Sequence, residues 1–310
     1  MGKLDTLTKK YLSQNEVFAD AFNYLIFDGK QVIDPSELTE QDPTEIAVIR
    51  KLGRTITDQK LRDVLKLCTI KHSKYATLVL LGIEGQANIH YAMPVKDYLY
   101  DALNYAAQVE SKRKEHKEQS DTKSSAEFLS GFTREDRLIP VVTLCICFDK
   151  RKWDAPRSLY EMFGDIDPQI LKYVDDYRLN LITPSEVEDF GKFASELGLV
   201  LEFIQYSEDR GKMRDIINSN ERYQSVDISS VDMINAYTSA GISKDEAKGG
   251  QVNMCTAIKE MVEEGRKEGE DMLATLILKL TPGSEDYMKA LQGNAADRKR
   301  LYKKYGITDR

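Results

Sequence analysis

The stretch that most constrains this chain is Tyr75 to Glu84, YATLVLLGIE, a continuous apolar, β-rich run about as long as one buried central strand. It ends in the polar sequence Glu84-Gly85-Gln86. Successive strand side chains alternate faces, so Glu84 and Gln86 should share a face, with the Gly85 carbonyl between them. Upstream, Leu61 to Ile70 fits either period: Leu61, Val64, Leu65 and Cys68 suit a helix, whereas Leu61, Asp63, Leu65 and Leu67 suit a strand. If it is a strand beside the first, Asp63 joins Glu84 and Gln86.

At 310 residues and 41% apolar composition the chain can bury a substantial core. No apolar run reaches the roughly 20 residues of a membrane-spanning helix, and the opening MGKLDTLTKKYLSQNE lacks the apolar core of a secretory signal. The expectation is a cytoplasmic protein with no membrane partner. Cys68, Cys145, Cys147 and Cys255 are scattered and the three histidines lie far apart, so no zinc pattern can be written and buried free thiols are expected.

The net charge of -7 argues against indiscriminate coating of nucleic acid. Locally the sign reverses. Between Arg50 and Lys74 stand Arg50, Lys51, Arg54, Lys60, Arg62, Lys66, Lys71 and Lys74 against only Asp58 and Asp63. Arg50, Lys51, Arg54, Lys60, Arg62 and Lys66 are the candidate contacts to a phosphate backbone, with a solvated face as the bland alternative.

Asn15 to Phe27 places Phe18, Phe22 and Leu25 on one helical stripe, with Asn15 as a candidate cap and Gly29 as a stop. Asp20 on this helix is a candidate further metal ligand or simply a capping or exposed carboxylate. A short strand is expected around IAVIR (46–50). Pro94 introduces a helix carrying Leu99, Ala102, Leu103, Ala106 and Val109, and Glu110 to Ser125 should be an exposed extension of it that frays into a mobile loop. Leu138 to Phe148 reads as a second buried strand, Trp153 as part of a polar turn, SLYEMF as a helix and DDYRLNLITP as a strand. From Pro184 the pattern is helical. Gln251 to Leu280 is the longest apolar stripe, interrupted by Gly265 and Gly269, and calls for a partner in this chain or, as the preferred expectation, in a second subunit. The basic tail, with Arg298, Lys299, Arg300, Lys303 and Lys304, is a solvated helix end or a phosphate contact.

Two carboxylates and a carbonyl suffice to hold Mg²⁺, which can neutralise charge on a phosphate and supply an activated water. Asp63, Glu84 and the Gly85 carbonyl would be the ligands. Gln86 could orient the attacking water, but a neutral amide cannot take its proton.

FADAFNYLIFDGKQVI, RDVLK, LLGIEGQANIHYAMPVKDYLYDALNYAAQV, FLSGFTREDRLIPVVTL, DYRLNLI and VNMCTAIKEMVEEGRKEG together resemble the bacterial recombination-promoting nuclease (Rpn), transposase-like family of the PD-(D/E)XK nuclease superfamily. That resemblance implies an α/β fold, a restriction-endonuclease-like mixed sheet flanked by helices with an α-helical C-terminal region. It places Asp63 on a strand, and implies division into a nuclease-like domain (1–220) and a helical region (221–310) serving oligomerisation or DNA contact. It implies Mg²⁺-dependent DNA endonuclease activity, with Mn²⁺ as a substitute, linked to recombination or mobile elements. Asp63 and Glu84 stand at the positions of the metal-binding acids. Gln86 stands where the superfamily usually has lysine. The alternative is a catalytically inactive DNA-binding or assembly protein that keeps the fold.

Overall fold

The computed structural model describes residues 2–41, 63–72, 75–245 and 247–307, with side chains throughout except at 260–262, 264–266 and 268. The chain runs α1 (Lys3–Leu12), α2 (Asn15–Phe27), β1 (Thr39–Glu40), β2 (Val64–His72), β3 (Tyr75–Gln86), α3 (Met93–Gln119), α4 (Ser125–Ser130), β4 (Val141–Cys147), α5 (Pro168–Leu171), β5 (Leu181–Ile182), α6 (Leu197–Tyr206) and α7 (Arg210–Ser219). It continues through β6 (Val226–Asp227), α8 (Ile228–Tyr237), β7 (Gln251–Val252), α9 (Met254–Lys279), α10 (Glu285–Gln292) and α11 (Ala295–Lys304). Two compact units result: Met1–Ile216 with Asp227–Gly241, and Ile217–Val226 with Ile242–Arg310. α8 belongs with the first unit.

The first unit is mixed α/β, a five-stranded sheet in the order β1-β2-β3-β4-β5 flanked by helices. β1, β2 and β3 are antiparallel neighbours; β3, β4 and β5 are parallel. β3 is therefore the middle strand. Its second half, Val79 to Glu84, is buried, and Leu81 and Ile83 are inaccessible to solvent, as a strand covered on both faces requires. From Val64 on, the ambiguous run is a strand: β2 pairs with β3 from Val64↔Ile83 to His72↔Tyr75, and Asp63 stands one residue before it. The IAVIR segment and the basic residues Arg50, Lys51, Arg54, Lys60 and Arg62 lie outside the described residues.

α2 has the expected bounds, but Asn15 does not cap it. Gln14 precedes the helix, and Asp28 (φ 55°) and Gly29 (φ 83°) turn the chain left-handed at its end. Phe18 and Phe22 are fully buried with ring centroids 5.2 Å apart.

α3 includes the exposed extension expected after Glu110. It continues to Gln119 because its polar end is pinned: Arg113 pairs with Glu110 at 3.7 Å, Lys112 with Glu115 at 2.8 Å, and His116 lies between two carboxylates. His116 Nδ1 is 2.7 Å from Asp121 Oδ1, and Nε2 is 2.8 Å from Asp136 Oδ2, which also accepts from Thr133 N and Oγ1. Both ring nitrogens can donate only in the imidazolium, so Asp136 first and then Asp121 raise the His116 pKa above 6.5. This contribution to stability is complete below about pH 6.5 and is lost as pH rises through the raised folded-state value. Thermal unfolding should accordingly show a decline on the alkaline side that His116→Gln flattens; identical pH profiles for the two proteins would contradict the clamp.

Trp153 is not in a polar turn but 4% exposed, packed with Met93, Cys145, Cys147 and Ala155. SLYEMF forms only a 3-10 turn at Tyr160–Met162. β5 is cut to two residues, since Asn180 Nδ2 takes the Thr143 carbonyl at 2.8 Å before the ladder can extend.

In the second unit Gln251 and Val252 are strand rather than helix, and Asn253 caps α9 by accepting from Thr256 N at 3.1 Å. The distal part of the α9 stripe finds its partner within this chain: Leu276 and Leu280 cluster with Ala290 of α10 and Leu301 of α11. In the basic tail, Lys304 pairs with Asp286 at 2.5 Å and Arg298 Nε donates to the Ala290 carbonyl at 3.0 Å. No described helix is long and apolar enough to cross a membrane.

Candidate metal centre

β2 and β3 bring the polar strand ends together. Continuing the antiparallel register by one residue beyond Val64↔Ile83 sets Asp63 opposite Glu84. The contact is direct, because Asp63 Oδ2 accepts a hydrogen bond from Gly85 N at 2.8 Å. Asp63 is 7% and Glu84 4% exposed, so both carboxylates are largely dehydrated near the strand end; Asp63 Oδ2 lies on the α1 side of Gly85, 3.5 Å from where a Cβ would stand, and Glu84 turns to Lys96. Burial pushes the Asp63 carboxyl above its ordinary 3.8; the Gly85 N–H opposes this, Asp5 adds to it, and Lys96 and Lys9 oppose it.

Gln86, on the same face as Glu84, folds back over it. Its Nε2 donates to Glu84 Oε1 and to the Gly85 carbonyl, each at 3.1 Å. Glu84 Oε1 also receives the Lys96 ammonium from the first turn of α3. Lys96 escaped attention in the sequence, although two signals pointed to it. The helix that follows a strand starts near that strand's carboxyl end, so its first turn is placed to reach the last strand residues. A cation is also disfavoured at a helix N-terminus, and this first turn has no acid to offset it. Glu84 supplies the missing negative charge.

Gly85 faces the other way, toward α1. A Cβ built there would stand 2.7 Å from Thr8 Cγ2 and 2.9 Å from Leu12 Cδ1. Neither neighbour can yield easily: Leu12 is fully buried, and the Thr8 hydroxyl is held by the Leu4 carbonyl at 2.9 Å and Tyr237 at 2.6 Å. Tyr237 in turn stacks on Phe148, centroids 4.7 Å apart. Gly85→Ala should therefore cost about 1–3 kcal/mol through overpacking, read as a lower denaturant midpoint. An unchanged midpoint would mean that α1 does not press on β3.

Two expected site residues do other work. Asp20 Oδ1 accepts from Ala194 N at 2.9 Å and Gln31 Nε2 at 3.3 Å, and Oδ2 from Ser195 N at 2.9 Å and Ser195 Oγ at 2.6 Å. It is a buried tie to the segment that enters α6, with its oxygens filled by these donors rather than turned to an ion. Lys66, expected on a DNA-facing surface, is 2% exposed. Its Nζ donates to the Ser13 carbonyl at 2.6 Å and to Asn15 Oδ1, and lies 5.1 Å from the Phe18 ring centroid. It ties β2 to the junction of α1 and α2, which also explains why Asn15 is not a cap.

Asp63, Glu84 and the Gly85 carbonyl are hard oxygen donors at one strand end, and the Lys96 ammonium already marks a place for positive charge there. That donor set fits a divalent ion such as Mg²⁺, which takes one or two carboxylates and completes its shell with water. Among the described residues no group of three or more His, Cys, Asp or Glu side chains is placed to hold a metal ion, so a third protein ligand would have to be the carbonyl or an amide. No family model matches this chain, and neither a curated protein nor a solved structure matches it.

Proposed function

We propose that the chain is a Mg²⁺-dependent DNA endonuclease of the PD-(D/E)XK type, linked to recombination or mobile elements through its resemblance to the Rpn family. The observation that carries this reading is the hydrogen bond from Gly85 N to Asp63, which holds one acid against the strand end that bears the other. The mixed sheet, with Glu84 on β3 and Asp63 one residue before the neighbouring β2, is compatible with the fold that the resemblance implies.

In this reading Asp63, Glu84 and the Gly85 carbonyl hold the ion. A bound Mg²⁺ supplies charge neutralisation at the scissile phosphate and a more acidic water. Gln86 orients that water by hydrogen bonds and leaves its proton to solvent or substrate oxygen. Burial of both acids keeps the pair dry, where each electrostatic contact counts for more than in water. Phosphate-backbone contact is assigned to Arg50, Lys51, Arg54, Lys60 and Arg62, and no longer to Lys66.

The test is nicking of supercoiled plasmid with Mg²⁺ against an EDTA control, together with the salt dependence of DNA binding in EDTA. Metal-dependent nicks and binding that weakens with salt support the reading. Salt-dependent binding without nicks favours the second reading, an inactive DNA-binding or assembly protein. Assembly through α9 belongs to both, because Leu278 on that helix is 88% exposed. Light scattering on the full chain tests it, a monomer at micromolar concentration counting against.

A further inference from the structure

Two of the oxygens assigned to the metal ion, Glu84 Oε1 and the Gly85 carbonyl, are already engaged. Glu84 Oε1 accepts from the Lys96 ammonium and from Gln86 Nε2, and the same amide nitrogen covers the Gly85 carbonyl. An ion bound by Glu84 Oε1 and that carbonyl needs the lone pairs these N–H groups use. Either the donors move or the ion does not bind there. Glu84 sits in the middle strand of the sheet with its side chain 5% exposed, whereas the Lys96 side chain is 27% exposed and ends in a flexible four-carbon stem. Lys96 is the partner able to move. Its Nζ already lies 5.9 Å from the Tyr100 ring centroid, so an aromatic face adjoins its path. The Gln86 amide, half-buried, needs only to turn over to present its oxygen in place of its nitrogen.

We propose that the metal-free site is closed by its own donors: Lys96 acts as a resident counter-cation for Glu84, and metal entry displaces it together with the Gln86 NH₂. The inference rests on the reading of Asp63 and Glu84 as metal-binding acids and adds a regulating contact to that site. Lys96 is a positioning residue in this scheme. It stabilises the metal-free fold by neutralising Glu84 and, by the same contact, weakens metal binding. A lysine with only a structural role would stabilise the metal-free and metal-bound forms alike.

Mn²⁺ binding, followed by the loss of the free-ion paramagnetic resonance signal, and thermal unfolding in EDTA and in saturating Mn²⁺ separate the two roles. Lys96→Met should bind Mn²⁺ about tenfold more tightly than the unaltered chain, within the usual span of couplings between linked sites. It should unfold at a lower temperature in EDTA, and Mn²⁺ should raise that temperature by more than in the unaltered chain. Lys96→Arg, which keeps the cation, should stay within about threefold of the original affinity. If the methionine variant does not fold, Lys96→Gln takes its place, with the same direction of change. Equal or weaker Mn²⁺ binding by the neutral variant, or the same loss of unfolding temperature with and without Mn²⁺, would overturn the displacement. Failure of the metal-site reading looks different: the unaltered chain and both Lys96 variants would all leave the Mn²⁺ signal unchanged, which overturns this inference with it.

Discussion

Asp63→Asn and Glu84→Gln should each lower Mg²⁺-dependent plasmid nicking by a hundredfold or more while leaving the chain folded and able to bind DNA in EDTA. The magnitude follows from losing a carboxylate ligand: charge stabilisation by the ion is worth several kcal/mol, and about 1.4 kcal/mol is tenfold in rate. The amides separate chemistry from folding. An asparagine at position 63 can still accept from Gly85 N, and a glutamine at 84 can still accept from Lys96, so the local bonds survive while the negative charge does not. Asp63→Asn should hold or raise the unfolding temperature in EDTA, because burial penalises the ionised Asp63 carboxyl. Nicking within a few fold of the unaltered chain in both variants would remove these two acids from the site.

Asp20→Ala should do the reverse, lowering stability without touching the metal. It strips the acceptors from Ala194 N, Ser195 N and Ser195 Oγ at a position 1% exposed. The donors sit on exposed and half-buried residues where water can replace part of the lost bonding, so a loss of about 1–3 kcal/mol is expected. For a unit of this size that is roughly 2–12 °C in unfolding temperature. Mn²⁺ should still raise the unfolding temperature of Asp20→Ala by the same increment as in the unaltered chain. A variant of unchanged stability that had lost its response to Mn²⁺ would restore Asp20 as a ligand and contradict its role as a tie.

The parts of the fold legible in the sequence are those fixed by local pattern. β3 announces itself by an apolar run with a polar end, and α2 by a stripe with Phe18 and Phe22 one turn apart. That Asp63 lies beside the end of β3 is legible only if the ambiguous run from Val64 is read as a strand. What stayed hidden depends on partners remote in the chain. Asp20 is committed by Ala194 and Ser195, which no window around α2 contains. Lys66 looked like one of a basic group, yet the carbonyl and amide that bury its charge come from the junction of α1 and α2. Trp153 was misplaced because its neighbours are charged, whereas its own ring is covered by Met93 and by Cys145 and Cys147 of β4. The extension of α3 past Glu110 is legible in composition, but the pairing of His116 with Asp121 and Asp136 is not.

The convergence of Asp63 and Glu84 on one ion is tested most directly by diffraction from crystals soaked in Mn²⁺, using the anomalous signal of the metal. The account predicts a single peak bonded to carboxylate oxygens of both residues, with the Lys96 ammonium moved off Glu84. No peak there at saturating Mn²⁺, with Lys96 still seated on Glu84, would contradict it.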